Sequence, residues 1–167
     1  MRFERKTLRL KNYDYSSGGA YFITICTADK AKILSHICSG DPCGLPYVEL
    51  TALGKIAEAT IADIETPDLT VDKYVIMPNH VHLIIKICGS QDSRKGCHYG
   101  VSQAVGKYKS LCANRWIAYC KSTGAEYHPI WQRSYYDHII RSENDYFEIW
   151  QYIDENPIKW TLDKYYR

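Results

Sequence analysis

Residues 69–87 constrain the fold more than any other stretch of the chain. Leu69 to Met77 and Val81 to Ile87 are apolar, β-branched runs that meet at Pro78-Asn79, so they read as adjacent strands joined by a tight turn. His80-Val81-His82 opens the second run. Alternate side chains of a strand share a face, so His80 and His82 project together while Val81 packs on the opposite side. Two neutral imidazoles on one face of a rigid strand form a natural pair of metal ligands.

The other elements follow from periodicity and punctuation. Ala20 to Thr27 reads as a strand after the turn Ser16-Ser17-Gly18-Gly19, and Ala31 to Cys38 as a second extended run. Thr51 is placed to cap a helix reaching about Glu65, with Leu53, Ile56, Ala57, Thr60, Ile61 and Ile64 at helical spacing. Gly89 to Gly100 is polar and glycine-bearing, the pattern of a mobile loop. Ser102 opens a helix to about Lys121, and Ile130 to Ile140 contains a further strand. Ser142, with Glu143 and Asp145 in the first turn, caps a last helix ending near Asn156-Pro157. This order predicts one α+β domain over residues 1–167, a ferredoxin-like sandwich with a mainly antiparallel sheet and helices packed on it.

Composition excludes some classes of function. With 46% hydrophobic and 24% charged residues the chain is globular rather than disordered. No apolar run is long enough to span a bilayer, and no signal peptide is evident. Seven cysteines, an odd number, suit a reduced cytoplasmic protein better than a disulfide framework. Cys38 with Cys43, and Cys88 with Cys97, lack the close spacing of a strong zinc site. A net charge of +2 does not announce nucleic acid, so a basic surface must be local. Arg2, Arg5, Lys6, Arg9 and Lys11 form such a segment at residues 1–18, and Lys107 and Lys109 on the preceding-to-last helix form a second candidate.

The histidine pair needs partners. A third histidine at the next alternate position would suit a histidine-triad nucleotide hydrolase, but Ile84 stands there. There is no HExxH for a zinc hydrolase, and His36, His98, His128 and His138 are scattered. On the last helix Tyr146, Ile149, Trp150 and Ile153 form the apolar face, with Asp145, Tyr152 and Asn156 along one flank. Tyr152 and Asn156 are four residues apart, hence stacked one turn above the other. The Asn156 amide oxygen suits a third ligand for Mg²⁺ or Mn²⁺. Periodicity alone favours Tyr152 as an ordinary residue of an amphipathic helix.

The segment Met77-Pro78-Asn79-His80-Val81-His82-Leu83-Ile84 resembles the His-hydrophobe-His signature of the single-tyrosine transposases. The block Trp131 to Arg141, then Tyr152-Ile153-Asp154-Glu155-Asn156-Pro157, is similar to the downstream part of the REP-associated branch, whose members are encoded beside repetitive extragenic palindromes. The resemblance implies that His80 and His82 bind the metal, Tyr152 is the nucleophile and Asn156 the third ligand. It implies Mg²⁺- or Mn²⁺-dependent cleavage of single-stranded or hairpin DNA through a 5′-phosphotyrosine, by a monomer or homodimer, with Arg2, Arg5, Lys6 and Arg9 near the DNA. A non-cleaving DNA-binding regulator on the same fold is the alternative.

Overall fold

The computed structural model describes residues 18–40, 44–88, 100–163, 165 and 166. Its elements are β1 (Gly19–Cys26), β2 (Ser35–Cys38), β3 (Tyr47–Leu50), α1 (Ala52–Ile61), β4 (Leu69–Met77), β5 (His80–Ile87), α2 (Val101–Thr123), β6 (Tyr136–Ile140) and α3 (Glu143–Glu155). The main sheet runs β4-β5-β1-β6, every neighbouring pair antiparallel. Set aside the small β2–β3 hairpin and α3, and the order is the βαββαβ of a ferredoxin-like sandwich. The expected fold class is the one observed.

Strand alternation divides the sheet into two chemistries. Tyr21, Ile23 and Ile25 stand opposite Ile85, Leu83 and Val81 and are fully buried with them in the core. Leu53, Ala57 and Ile61 of α1, and Val101, Ala104, Val105 and Tyr108 of α2, complete that layer. Between those positions Phe22, Thr24 and Cys26 stand opposite Ile84, His82 and His80 on the other face. This second face receives α3. Tyr146 donates to Asp72 at 2.7 Å, Lys73 pairs with Asp154 at 2.5 Å, and its ammonium lies 4.7 Å from the Trp150 ring centre.

Several element bounds differ from those read in the sequence, each for a local reason. Thr51 caps α1 through its hydroxyl, which accepts from the Gly54 N–H at 3.1 Å, but the helix tightens into a 3₁₀ turn at Ala62–Ile64 before the expected end. The extended run from Ala31 becomes a strand only at Ser35, because the Ile33 N–H first turns back to the Ala31 carbonyl at 3.0 Å. The helix expected to open at Ser102 starts at Val101, with Gly100 as the N-cap of α2, its N–H donating to the Gln103 side chain at 2.7 Å. Gly124, at φ 75°, ends that helix in the left-handed conformation. The strand expected within residues 130–140 is β6. Upstream, Trp131 makes one isolated bridge to Thr27, and the chain then leaves the ladder.

Candidate functional site

His80 and His82 begin β5 on the face that α3 covers, and both are fully buried. Their ring centres lie 4.4 Å apart. Each ring is held through Nδ1. Thr24, opposite His82 on β1, places its hydroxyl 2.9 Å from that Nδ1, and the Asn79 amide oxygen stands 2.9 Å from Nδ1 of His80. The Asn79 oxygen can only accept, so Nδ1 of His80 donates and its lone pair resides on Nε2, the form required of a metal ligand; the Thr24 hydroxyl suits the same tautomer of His82. Asn79 is itself fixed, because its amide nitrogen donates to the Tyr165 carbonyl at 2.8 Å.

The final helix brings Tyr152 over this pair. Its hydroxyl lies 3.4 Å from His82 Nε2 and donates to Asp163 Oδ2 at 2.8 Å. Asn156, one turn on, is buried and donates to the same Asp163 oxygen at 3.0 Å. Its own amide oxygen is buried without a hydrogen-bond partner among the described residues. Asp163 also receives the Tyr165 N–H at 2.6 Å, so the segment after α3 folds back across the histidines. Tyr165 lies 4.7 Å from the His80 ring centre, and Trp160 5.9 Å from it. Ligand atoms of His80, His82 and Asp163 all lie within 4.8 Å of one another. Two imidazoles, a carboxylate and an unsatisfied amide oxygen form a donor set that fits a divalent cation.

This enclosure alters the acidity of the tyrosines. Burial first, and then the hydrogen bond to the Asp163 carboxylate, raise the Tyr152 phenol above its ordinary value. Burial likewise pushes Tyr165 up to about 12. Both phenols are therefore protonated at neutral pH, and Asp163 is the group positioned to accept the Tyr152 proton.

Of the residues singled out in the sequence, His80, His82, Tyr152 and Asn156 converge here. Lys107 and Lys109 do not, since α2 lies on the opposite face. Lys107 donates to the Asp63 carbonyl, while Lys109 reaches the carbonyls of Gln132 and Ser134 at 2.8 and 2.9 Å, and burial lowers its pKa to about 8. Arg2, Arg5, Lys6 and Arg9 lie outside the described residues, as do Cys43, Cys97 and the loop over residues 89–99. Among the described residues, Cys26, Cys38, Cys88, Cys112 and Cys120 form no disulfide. Thr24, Asn79, Asp163 and Tyr165 were not assigned roles from sequence. Only Asn79, adjacent to His80, offered a local signal; Asp163 is seven residues beyond Asn156 with no motif around it.

The site is thus a helix-borne tyrosine above a strand-borne histidine pair, set on a ferredoxin-like sheet. No protein-family model matches the chain. It is 34% identical over 178 residues to an "Uncharacterized protein" of Haemophilus influenzae (strain ATCC 51907 / DSM 11121 / KW20 / Rd), covering 97% of this chain and 93% of the relative. It is 25% identical over 155 residues to a "Putative REP-associated tyrosine transposase" of the same organism, covering 90% and 77%. A solved REP-associated tyrosine transposase bound to a REP hairpin has a similar fold, at TM-score 0.60 and 20% identity, over 93% of this chain and 76% of that one. The chain is thus a homologue of the first of these Haemophilus proteins over nearly its whole length, and it shares its fold with the solved transposase.

Proposed function

We propose that this protein is a single-strand DNA endonuclease and strand transferase acting at palindromic repeat hairpins, with Tyr152 as its nucleophile. The observation that carries the reading is the Tyr152 hydroxyl, 3.4 Å from His82 Nε2 and 2.8 Å from Asp163 Oδ2. A phenol reacts slowly at neutral pH unless its proton has a destination. Asp163 supplies one at hydrogen-bond distance. Tyr152 Oη attacks the phosphorus, the phenol proton passes to Asp163, and the bond from phosphorus to the 3′ oxygen breaks, that oxygen taking a proton from solvent to leave as a free 3′-hydroxyl. The 5′-phosphotyrosine so formed keeps the ester's energy available for rejoining.

His80 and His82 would hold Mg²⁺ or Mn²⁺, with Asp163 or the Asn156 amide oxygen as the third ligand. When bound, such a cation neutralises phosphate charge and orients the group for in-line attack. Thr24 and Asn79 keep the imidazoles in the required tautomer. Half-buried Phe22 packs edge-on against Tyr152 at 6.0 Å between ring centres, and buried Tyr165 lies against His80. The solved relative is bound to a REP hairpin, and in this chain the N-terminal arm with Arg2, Arg5, Lys6 and Arg9 would meet the backbone of such DNA.

The test is a covalent adduct. Wild-type protein with Mn²⁺ and a hairpin flanking its own gene should give a protein–DNA species stable to denaturing gel electrophoresis. Tyr152→Phe should give none while still binding the hairpin. An undiminished adduct from Tyr152→Phe would remove Tyr152 as nucleophile.

A further inference from the structure

Beside the histidine pair lies an open cavity of about 440 Å³, lined by Phe22 and Thr24 of β1, Lys30, Tyr136 and His138 of β6, and Tyr165, with Asp137 at its rim. Pockets of about 300–1,000 Å³ are the size that holds a small organic ligand. The cavity adjoins the reacting tyrosine, because Phe22 forms one wall and packs edge-on against Tyr152 at 6.0 Å between ring centres. Phe22 and Thr24 pair across the ladder with His138 and Tyr136, so all four share one sheet face.

The chemistry of the walls is specific. Tyr136 is 44% exposed on the edge strand, an apolar ring left facing solvent. Its ring centre is 6.3 Å from that of Tyr165 at 51°, so the two border the cavity without stacking on each other. Lys30 brings an ammonium to the rim, 5.4 Å from the Tyr165 ring centre. His138 is held in one orientation by Asp145, whose two oxygens lie 3.1 and 3.0 Å from its Nε2. Asp145 is anchored in turn by the N–H of Arg141 at 3.2 Å. An exposed aromatic face, a fixed imidazole and one cation, beside a phosphodiester-cleaving tyrosine, match the parts of an unstacked nucleotide.

We propose that this cavity binds the unpaired nucleotide next to the scissile phosphate, its base stacked on Tyr136 and its phosphate met by Lys30. The proposal rests on the reading of Tyr152 as a DNA nucleophile and deepens it, since it names how the single strand is held open there. Sequence tolerance follows, because every base has a π-face.

The experiment measures binding of a fluorescein-labelled single-stranded DNA of random sequence by polarisation, in a Tyr152→Phe background so that cleavage does not enter. Tyr136→Ala should weaken binding by roughly 5- to 150-fold, the equivalent of ~1–3 kcal/mol for one stacked base. Tyr136→Phe, which keeps the ring, should bind like the parent. Lys30→Ala should reduce the slope of log affinity against log salt by about 0.7, one single-strand phosphate contact. Parent-like affinity for both Tyr136→Ala and Lys30→Ala overturns the proposal, as does a parent that binds no single strand. The two readings separate cleanly. Loss at Tyr136→Ala without any covalent adduct from wild type keeps the subsite and removes the nuclease. An adduct with unaltered Tyr136→Ala binding does the reverse.

Discussion

Thr24→Val tests how the proposed metal site is prepared rather than which residues bind. Thr24 and His82 face each other across β1 and β5, both almost wholly buried, with Oγ1 2.9 Å from Nδ1. Valine keeps the β-branched shape and strand preference while removing the oxygen. Losing that partner costs about 1–3 kcal/mol for a buried polar atom. It also frees the Nδ1 proton to move to Nε2, the atom that must carry a lone pair. Loss of such an outer partner lowers metal affinity roughly 10- to 100-fold, or ~1.4–2.7 kcal/mol. Mn²⁺ titration by calorimetry, with urea unfolding in parallel, reads both. Thr24→Ser keeps the oxygen and should bind Mn²⁺ like wild type. The same hydroxyl also meets the Tyr165 phenol, so Tyr165→Phe is the second control. Wild-type Mn²⁺ affinity in folded Thr24→Val refutes the reasoning. Equal losses in the Val and Ser variants refute it too, by tracing the effect to packing.

Three further outcomes are expected. Asp163→Asn should weaken Mn²⁺ binding more than Asn156→Ala if the carboxylate is the third ligand, and calorimetry showing the opposite order would transfer that role to the amide oxygen. Gly54→Ala should destabilise α1 despite alanine's helix preference of about 1 kcal/mol, because an added Cβ would sit 2.0 Å from the Leu34 carbonyl oxygen; a higher urea midpoint would contradict this. Burial raises the Cys112 thiol from 9.0 to about 11, so between those values the unfolded chain ionises and the folded one does not. Stability should therefore be level below pH about 9 and fall as pH rises towards 11, by about 2–3 kcal/mol in total. Cys112→Ala should flatten that part of the curve relative to wild type, and an unchanged pH dependence would exclude the thiol as its source.

The sequence determined the elements and half of the site. Alternation in residues 69–87 sets the hairpin and the shared face of His80 and His82, because a strand has a period of two whatever surrounds it. The four-residue spacing of Tyr152 and Asn156 sets their stacking on α3 for the same local reason. Neither period says which face of the sheet α3 covers. That depends on contacts between residues far apart in the chain, such as Tyr146 with Asp72 and Lys73 with Asp154. Only tertiary structure brought Thr24 to His82, fifty-eight residues away, and folded Asp163 back onto Tyr152. Lys107 and Lys109 show the converse: their charge was legible, but the carbonyls that hold them were not. Local spacing decides which side chains travel together. Tertiary packing decides what they meet, and with it which proton, ligand or base each of them can hold.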